Sequence, residues 1–539
     1  MIAALLLEAA VIALLSGART HVLLHMFQQE HYEGARLRLW ASQRRLAGWP
    51  LPPPAALGLL ALPAAGSAVS AVAGAVAGVL AAAVAGWAAR RTWRRPTVKP
   101  LVFTPRARRL FGVALALAVV PPLAVGLIVG GWTGVAVAAA LGAAALAGAL
   151  PLLLAAERVL RPVQRLDNQR FVRRAQRRLA DVAPLVVGIT GSYGKTTTKA
   201  CVAAVLDVLG PSYPTPASYN SHLGVVRAIN EGLEREHRSF VVEMGAYREG
   251  DVAELCELTH PSIGVLTAVG PAHLERFGSL DAIARAKGEL AASLPPDGTF
   301  VTRGDDERLR RIAAERARCP TVFIAPEPGP GIDVWPENVR TTTGRTTFDL
   351  CIAAGDEVLR AAVRTRLLGS HNVANLLAAA AVGHATGLEP AQIAAALSRV
   401  RPPAHRLEPI TNTASGVVVI DDSYNSNPAG AASAIDVLAQ HPAERRILVT
   451  PGMVELGELE DEENRRLGER AAAVCDRVIV IGSSRGARAV EEGLRAGGLD
   501  GDRIVMAPDG AAAHSIIATE TRRGDVILFE NDVPDVYVQ

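Results

Sequence analysis

Lysine is almost absent from this chain of 539 residues: the 56 basic residues include only four lysines, Lys99, Lys195, Lys199 and Lys287. Each stands where arginine is the default, so each asks for a chemical reason. Cysteine is scarce as well. Cys201, Cys256, Cys319, Cys351 and Cys475 are odd in number, widely separated and form no C-x-x-C pair. That pattern excludes a disulfide framework and a thiolate zinc site, and it suits a reducing compartment. With 50% hydrophobic residues and 20% charged ones, the chain is neither disordered nor collagen-like, and its length suggests about three or four domains.

Charge is missing from long stretches of the first third. Residues 1–16 carry only Glu8, and residues 51–89 and 110–156 carry no charge at all. A bilayer core takes about 20 apolar residues per helix, so the two longer runs are each long enough for a hairpin, with turns at Gly66-Ser67 and Gly130-Gly131. What surrounds them is basic: Arg36, Arg38, Arg44 and Arg45 before the second run, eight basic residues from Arg90 to Arg109 after it, and eight more from Arg158 to Arg178 after the third. Such loops belong in the cytoplasm. The resulting expectation is a multi-pass domain in the cell membrane with five crossings, the N-terminus outside and lipid as a partner. A cleaved signal peptide fits less well, because the first segment lacks a basic lead-in; buried soluble helices are the other alternative. Before Ala183 there are 21 basic and 6 acidic residues, and after that point 35 and 47, giving +15 and −12. The positive charge sits between apolar runs, which argues against a nucleic-acid binder.

From Pro184 the pattern changes. Leu185-Val186-Val187-Gly188-Ile189-Thr190 reads as a short buried strand, followed by Gly191-Ser192-Tyr193-Gly194-Lys195-Thr196-Thr197 and a helical stretch. Strand, glycine loop and helix in this order make a phosphate cradle. Backbone N–H groups approach the anion, the lysine reaches the outer phosphates and a hydroxyl ligates magnesium. A second apolar strand ends on Glu243, where a carboxylate can hold Mg²⁺. His273 and Lys287 follow in a segment that, by itself, reads as ordinary structure.

Taken together these segments resemble the Mur ligase family, ATP-dependent amide ligases of cell-wall precursor synthesis. Thr190-Gly191-x-x-Gly194-Lys195-Thr196 is similar to its phosphate-loop signature. Pro216-Ala217-Ser218-Tyr219-Asn220-Ser221 is similar to its Asn-rich segment, and Gly369-Ser370-His371-Asn372-Val373-Ala374-Asn375 to its G-x-H-N-x-x-N helix start. Pro403-Ala404-His405-Arg406 resembles the entry to the third domain. V-V-V-I-D-D-S-Y-N-S-N-P at 417–428 and Pro451-Gly452-Met453-Val454-Glu455-Leu456-Gly457-Glu458 are similar to the D-alanyl-D-alanine-adding members. The resemblance implies that Glu243 and His273 serve magnesium together with Thr196, and that Lys287 is carbamoylated. Only an amine that can lose its proton adds CO₂, so arginine could not replace it. It further implies that Asn372 and Asn375 lie near adenine, that Arg406 and Asp422 contact the nucleotide, and that Asn220, Tyr424 and Asn425 meet the substrate.

There are departures. The soluble domain that holds the uridine-diphosphate part of the substrate has no visible counterpart, Asn464 stands where a histidine is usual, and the stretch Asp525-Val526-Ile527-Leu528-Phe529-Glu530-Asn531-Asp532-Val533-Pro534-Asp535 stands in place of a lysine-containing segment. The expected fold is α/β: a helical membrane domain over residues 1–182, a P-loop Mur-ligase central domain over 183–402 and a Rossmann-like C-terminal domain over 403–539. The expected reaction joins a cell-wall precursor carboxylate, lipid-linked or soluble, to an amino acid or dipeptide through an acyl phosphate, with Lys195, Glu243, His273, Lys287 and Arg406 catalytic and ATP and Mg²⁺ required. A poly-γ-glutamate-type polyamide synthase and an ATP-dependent membrane switch or transporter component are the alternatives.

Overall fold

Where the first third lacks charge it forms helices. The computed structural model describes residues 2–30, 32–43, 55–56, 58–62, 71–94, 100–342, 344–412 and 416–532. Its long N-terminal helices are Ile2–Gln29, Ala71–Trp93, Pro105–Val129, Gly131–Ala147 and Ala149–Val182. Ile2–Gln29 and Pro105–Val129 are long and apolar enough to cross a bilayer, and a third span is added if Gly131–Ala147 and Ala149–Val182, bent by 79° at their junction, count as one. Among the described residues this is fewer than the five crossings expected. Gly131–Ala147 has 17 residues, short for a bilayer, and the turn expected at Gly66-Ser67 lies outside the described residues. The other expected turn, at Gly130-Gly131, does separate two helices. The first helix does not end near Ser16 but runs on through Arg19, whose guanidinium donates to the Leu146 carbonyl at 2.7 Å; a buried cation is tolerable when it is hydrogen-bonded.

Two compact units divide between Asn168 and Gln169, inside the helix Ala149–Val182 and ahead of the boundary expected at residue 182. The reason is packing: Ala175 is buried in one core with Val225, Ile229 and Phe240, and Val172, Leu179 and Val182 lie against it.

The second unit contains two sheets. In the first, β1 (Leu185–Thr190), β2 (Ser212–Pro214), β3 (Ser239–Glu243), β4 (Ile263–Leu266), β5 (Thr299–Arg303), β6 (Thr321–Ile324), β7 (Val334–Thr342), β8 (Arg345–Ala354) and β9 (Glu357–Thr365) take the order β2-β3-β1-β4-β5-β6-β7-β8-β9. The pairs are parallel up to β7, and β7, β8 and β9 then form an antiparallel meander. The second sheet holds β10 (Glu408–Asn412), β11 (Val417–Asp422), β12 (Arg445–Thr450), β13 (Arg477–Ile481), β14 (Ile504–Ala507) and β15 (Asp525–Glu530) in the order β10-β11-β15-β12-β13-β14. Only β10 runs antiparallel to its neighbour. The continuous apolar runs of β1, β3 and β4 are buried almost throughout, as strands covered by helices on both faces must be. Register then sets the site: Ile189 pairs with Glu243 and Thr190 with Leu266, so the phosphate loop and the carboxylate leave the sheet at the same carboxyl edge, where open parallel sheets bind ligands.

Candidate active site

The loop after β1 needs its glycines. Gly191 has φ 149° and Gly194 φ 79°. A Cβ on Gly191 would stand 1.9 Å from the Thr267 hydroxyl, and one on Gly194 would stand 2.4 Å from Asn375 Oδ1; with φ positive at both positions, a side chain at either is strained. Lys195 begins the helix Lys195–Leu206 and curls back so that Nζ donates to the Gly191 carbonyl at 2.6 Å. Several side chains expected at the nucleotide also fasten the loop. Thr190 Oγ1 donates to the Met244 carbonyl at 2.8 Å, Ser192 Oγ exchanges hydrogen bonds with the Gly270 backbone at 3.0 Å, and Tyr193 packs its ring on Gly270. Thr197 is buried. Lys195 and Thr196 are half-buried at the start of the helix. Thr267, whose hydroxyl donates to the Tyr193 carbonyl, is a fastener that carries no sequence signal.

Glu243 is the electrostatic centre. It is 2% exposed. Its Oε2 accepts from the Thr196 hydroxyl at 3.1 Å and lies 3.1 Å from Lys199 Nζ, while Oε1 accepts from Asn220 Nδ2 at 3.1 Å. Burial alone would raise its pKa; Lys199 and then Lys195 outweigh burial and hold it below the ordinary carboxylate value. Lys199 is the residue that sequence reasoning counted but gave no role, although its scarcity was the signal. It also donates to the Ala217 carbonyl at 2.7 Å, so it ties the Asn-rich segment to the metal-type carboxylate. Mg²⁺ takes one or two protein oxygens and completes its shell with phosphates and water; Thr196 and Glu243 supply such a pair. Among the described residues no group of three or more His, Cys, Asp or Glu is arranged to hold a metal.

Lys287 sits on the helix Leu280–Ser293 and is 2% exposed. Among the described residues no hydrogen bond or ion pair engages its amine. Burial, reinforced by Lys195, pulls its pKa well below the usual lysine value. His273, in the left-handed region at φ 58°, does not turn to Glu243: its Nδ1 is bonded to Glu455 of the C-terminal half, and its ring stands edge-on to Tyr247 with centroids 5.0 Å apart. Of the four predicted metal ligands, the structure thus joins Thr196 and Glu243 directly. Asn464, at 0% exposure, accepts from the Met453 N–H at 2.7 Å and donates to the carbonyls of Met453 at 3.0 Å and Glu460 at 2.8 Å, clamping the loop that carries Glu455.

The asparagines expected beside adenine are spent on the protein. Asn375 Nδ2 donates to Asn372 Oδ1 at 2.9 Å, Asn372 Nδ2 to the Leu368 carbonyl at 2.7 Å, and Asn375 Oδ1 accepts from Thr198 at 3.0 Å. They prop the loop from behind. Arg406 lies over the Tyr424 ring at 4.3 Å; burial, followed by the charge of Arg406, lowers the pKa of His371 to about 4, and that charge also bears on Lys195. Asp422 pairs in register with Glu530 across β11 and β15. Burial pushes Asp422 up to about 6 against the pull of Arg406, and burial followed by Asp422 pushes Glu530 well above the ordinary value. Tyr424 and Asn425 are exposed and remain open to a ligand.

Two family profiles match this chain: the Mur ligase middle domain over residues 189–383 and the Mur ligase, glutamate ligase domain over residues 405–530. The UDP-N-acetylmuramoyl-tripeptide--D-alanyl-D-alanine ligase of Mycobacterium tuberculosis is 36% identical over 361 residues, 64% of this chain and 69% of the relative. Its Escherichia coli counterpart is 33% identical over 310 residues, 57% of this chain and 67% of the relative. Among solved structures, MurF ligase from Thermotoga maritima in complex with ADP is similar with a TM-score of 0.59 and 28% identity, covering 69% of this chain and 81% of that one. MurF from Acinetobacter baumannii follows with a TM-score of 0.58 and 28% identity over 67% and 76%. A glycine loop that admits no Cβ, an adjoining ionised glutamate and two α/β domains of matching sequence place this chain in the Mur ligase family of ATP-dependent amide ligases.

Proposed function

We propose that this protein is a membrane-bound, MurF-like ligase that activates a carboxylate of a cell-wall peptide precursor with ATP and joins it to an amino acid or dipeptide, D-alanyl-D-alanine being the first to test. The observation that carries this reading is Glu243, held ionised by Lys199 beside the Thr196 hydroxyl and Lys195, with the buried amine of Lys287, which no hydrogen bond or ion pair engages among the described residues, in the same domain. The carboxylate attacks the terminal phosphoryl of ATP, ADP leaves, and the acyl phosphate is then displaced by the amine to give an amide and phosphate. Lys195 and Arg406 offset charge on the phosphoryl group, and the backbone of the loop orients it. Bound Mg²⁺ supplies further charge neutralisation there. Lys287, whose amine burial makes easier to deprotonate, adds CO₂ at Nζ and releases a proton, converting an amine into an anion beside a cation-rich site.

The first unit anchors the chain. Two spans, or three with the bent pair, put the N-terminus outside and the ligase inside when the count is three, the orientation that the arginine-rich loops favour. An anchored ligase can meet a lipid-linked acceptor at the membrane surface. The test is phosphate release by the purified full chain with ATP, amino acids and dipeptides, and soluble or lipid-linked acceptors. Release that depends on an added amine supports the ligase, whereas amine-independent release sinks it in favour of a switch. Faster turnover of the soluble acceptor would remove the lipid-linked part of the reading.

A further inference from the structure

The first unit contains a cavity that the ligase reaction does not use. Two helix faces wall it. Ala149–Val182 contributes Glu157, Arg161, Gln164 and Arg165, spaced so that they share one face, and the first turns of Pro105–Val129 contribute Arg106 and Arg109. Its volume is about 160 Å³. At ~30 Å³ per water that is space for about five waters, or for a phosphate or diphosphate group in their place.

The charge around this space does not balance. Four arginines line it against one carboxylate. Glu157 is committed to Arg161 at 2.9 Å, and Asp167 to Arg109 at 2.7 Å. Arg109 also donates to Gln164 Oε1 at 3.4 Å. Arg106 and Arg165 remain in excess. The Arg106 guanidinium carbon lies 4.0 Å from the Tyr32 ring centroid, and Arg106 makes no ion pair among the described residues. Arg165 makes no ion pair among the described residues. Cations held around one concavity repel unless an anion lies between them, and guanidinium forks match the oxygens of a phosphate in spacing and in plane.

We propose that this cavity binds a phosphate-bearing group supplied by an anionic lipid headgroup. The choice of a lipid source rests on the membrane reading above, because these turns begin one proposed span and follow another; the phosphate chemistry rests on the arginines alone. A bound headgroup would fix the depth at which the long helix Ala149–Val182 leaves the membrane.

The full chain in neutral detergent is examined by native mass spectrometry with phosphatidylglycerol or phosphatidylcholine in the micelles, and separately with inorganic diphosphate. Phosphatidylglycerol should be retained at least tenfold more strongly than the zwitterionic lipid. The double variant Arg106→Gln/Arg165→Gln should lose that preference by tenfold or more. Arg173→Gln/Arg174→Gln, on the same helix but outside the cavity, should keep it. Equal loss in both double variants, or loss in neither, overturns the site. Diphosphate binding tighter than the lipid overturns the lipid source. Amine-dependent phosphate release and carbonate extraction are measured on the same preparations, so failure of the ligase or membrane reading is seen separately from failure of this one.

Discussion

A buried ion pair lies at the candidate phosphate site. Lys199 and Glu243 are 6% and 3% exposed along their side chains and lie 3.1 Å apart. Removing one member of such a pair strands the other charge away from water. Lys199→Met should therefore cost about 3–5 kcal/mol in chemical denaturation and raise the Mg²⁺ concentration needed for ATP binding, while Lys199→Arg should recover part of both. Lys287 makes a different prediction. Lys287→Ala should abolish amide formation, and a short carboxylic acid added in solution should restore part of it; undiminished activity of the alanine variant would dispose of the carbamate. Both residues were visible in advance as lysines in an arginine-rich chain. Lys287 was singled out through its family motif, whereas Lys199 needed the fold, because β3 brings Glu243 beside a helix 44 positions earlier in the chain.

At the scale of elements, the loop after β12 connects the two α/β domains. Glu455 bonds His273, and the Glu275 N–H donates to the Glu455 carbonyl at 3.4 Å. Asn464 holds this loop through three hydrogen bonds. Asn464→Ala leaves the buried Met453 N–H without a partner and should cost about 2–3 kcal/mol. It should also lower kcat about tenfold by loosening Glu455, an effect that stopped-flow turnover at saturating ATP would register. The sequence marked Asn464 only as a departure from the usual histidine, since an amide that clamps a loop through backbone groups has no signature in local spacing. Periodicity did better with β1, β3 and the glycine loop, where continuous apolar runs and a turn requirement leave few alternatives. Asn372 and Asn375 were located correctly on their helix, yet their hydrogen bonds go to one another and to Thr198, a choice made by packing beneath Gly194.

For the whole molecule, the strongest prediction concerns placement. Carbonate washing of cell membranes should leave the full chain in the pellet, and protease added to sealed inside-out vesicles should remove the two ligase domains while protecting part of residues 1–168. Release of the intact chain by carbonate would sink the membrane reading. Uncharged runs and basic flanks were sufficient to foresee long apolar helices, because the transfer of a charged loop across a bilayer is so unfavourable. Among the described residues two or three spans stand against the five foreseen. Helix ends, the 79° bend after Ala147 and the internal Arg19–Leu146 bond depend on contacts between distant segments.

Composition and motif order by themselves determined that this chain pairs an apolar helical third with a nucleotide-binding α/β ligase, since hydrophobic runs, glycine turns and scarce lysines act through local chemistry. The tertiary structure decided which groups meet. It brought Lys199 to Glu243, turned His273 toward Glu455, set Asp422 beside Glu530 and gathered four arginines around one cavity. Those pairings are settled by strand register and helix packing over long sequence separations, which no local pattern encodes.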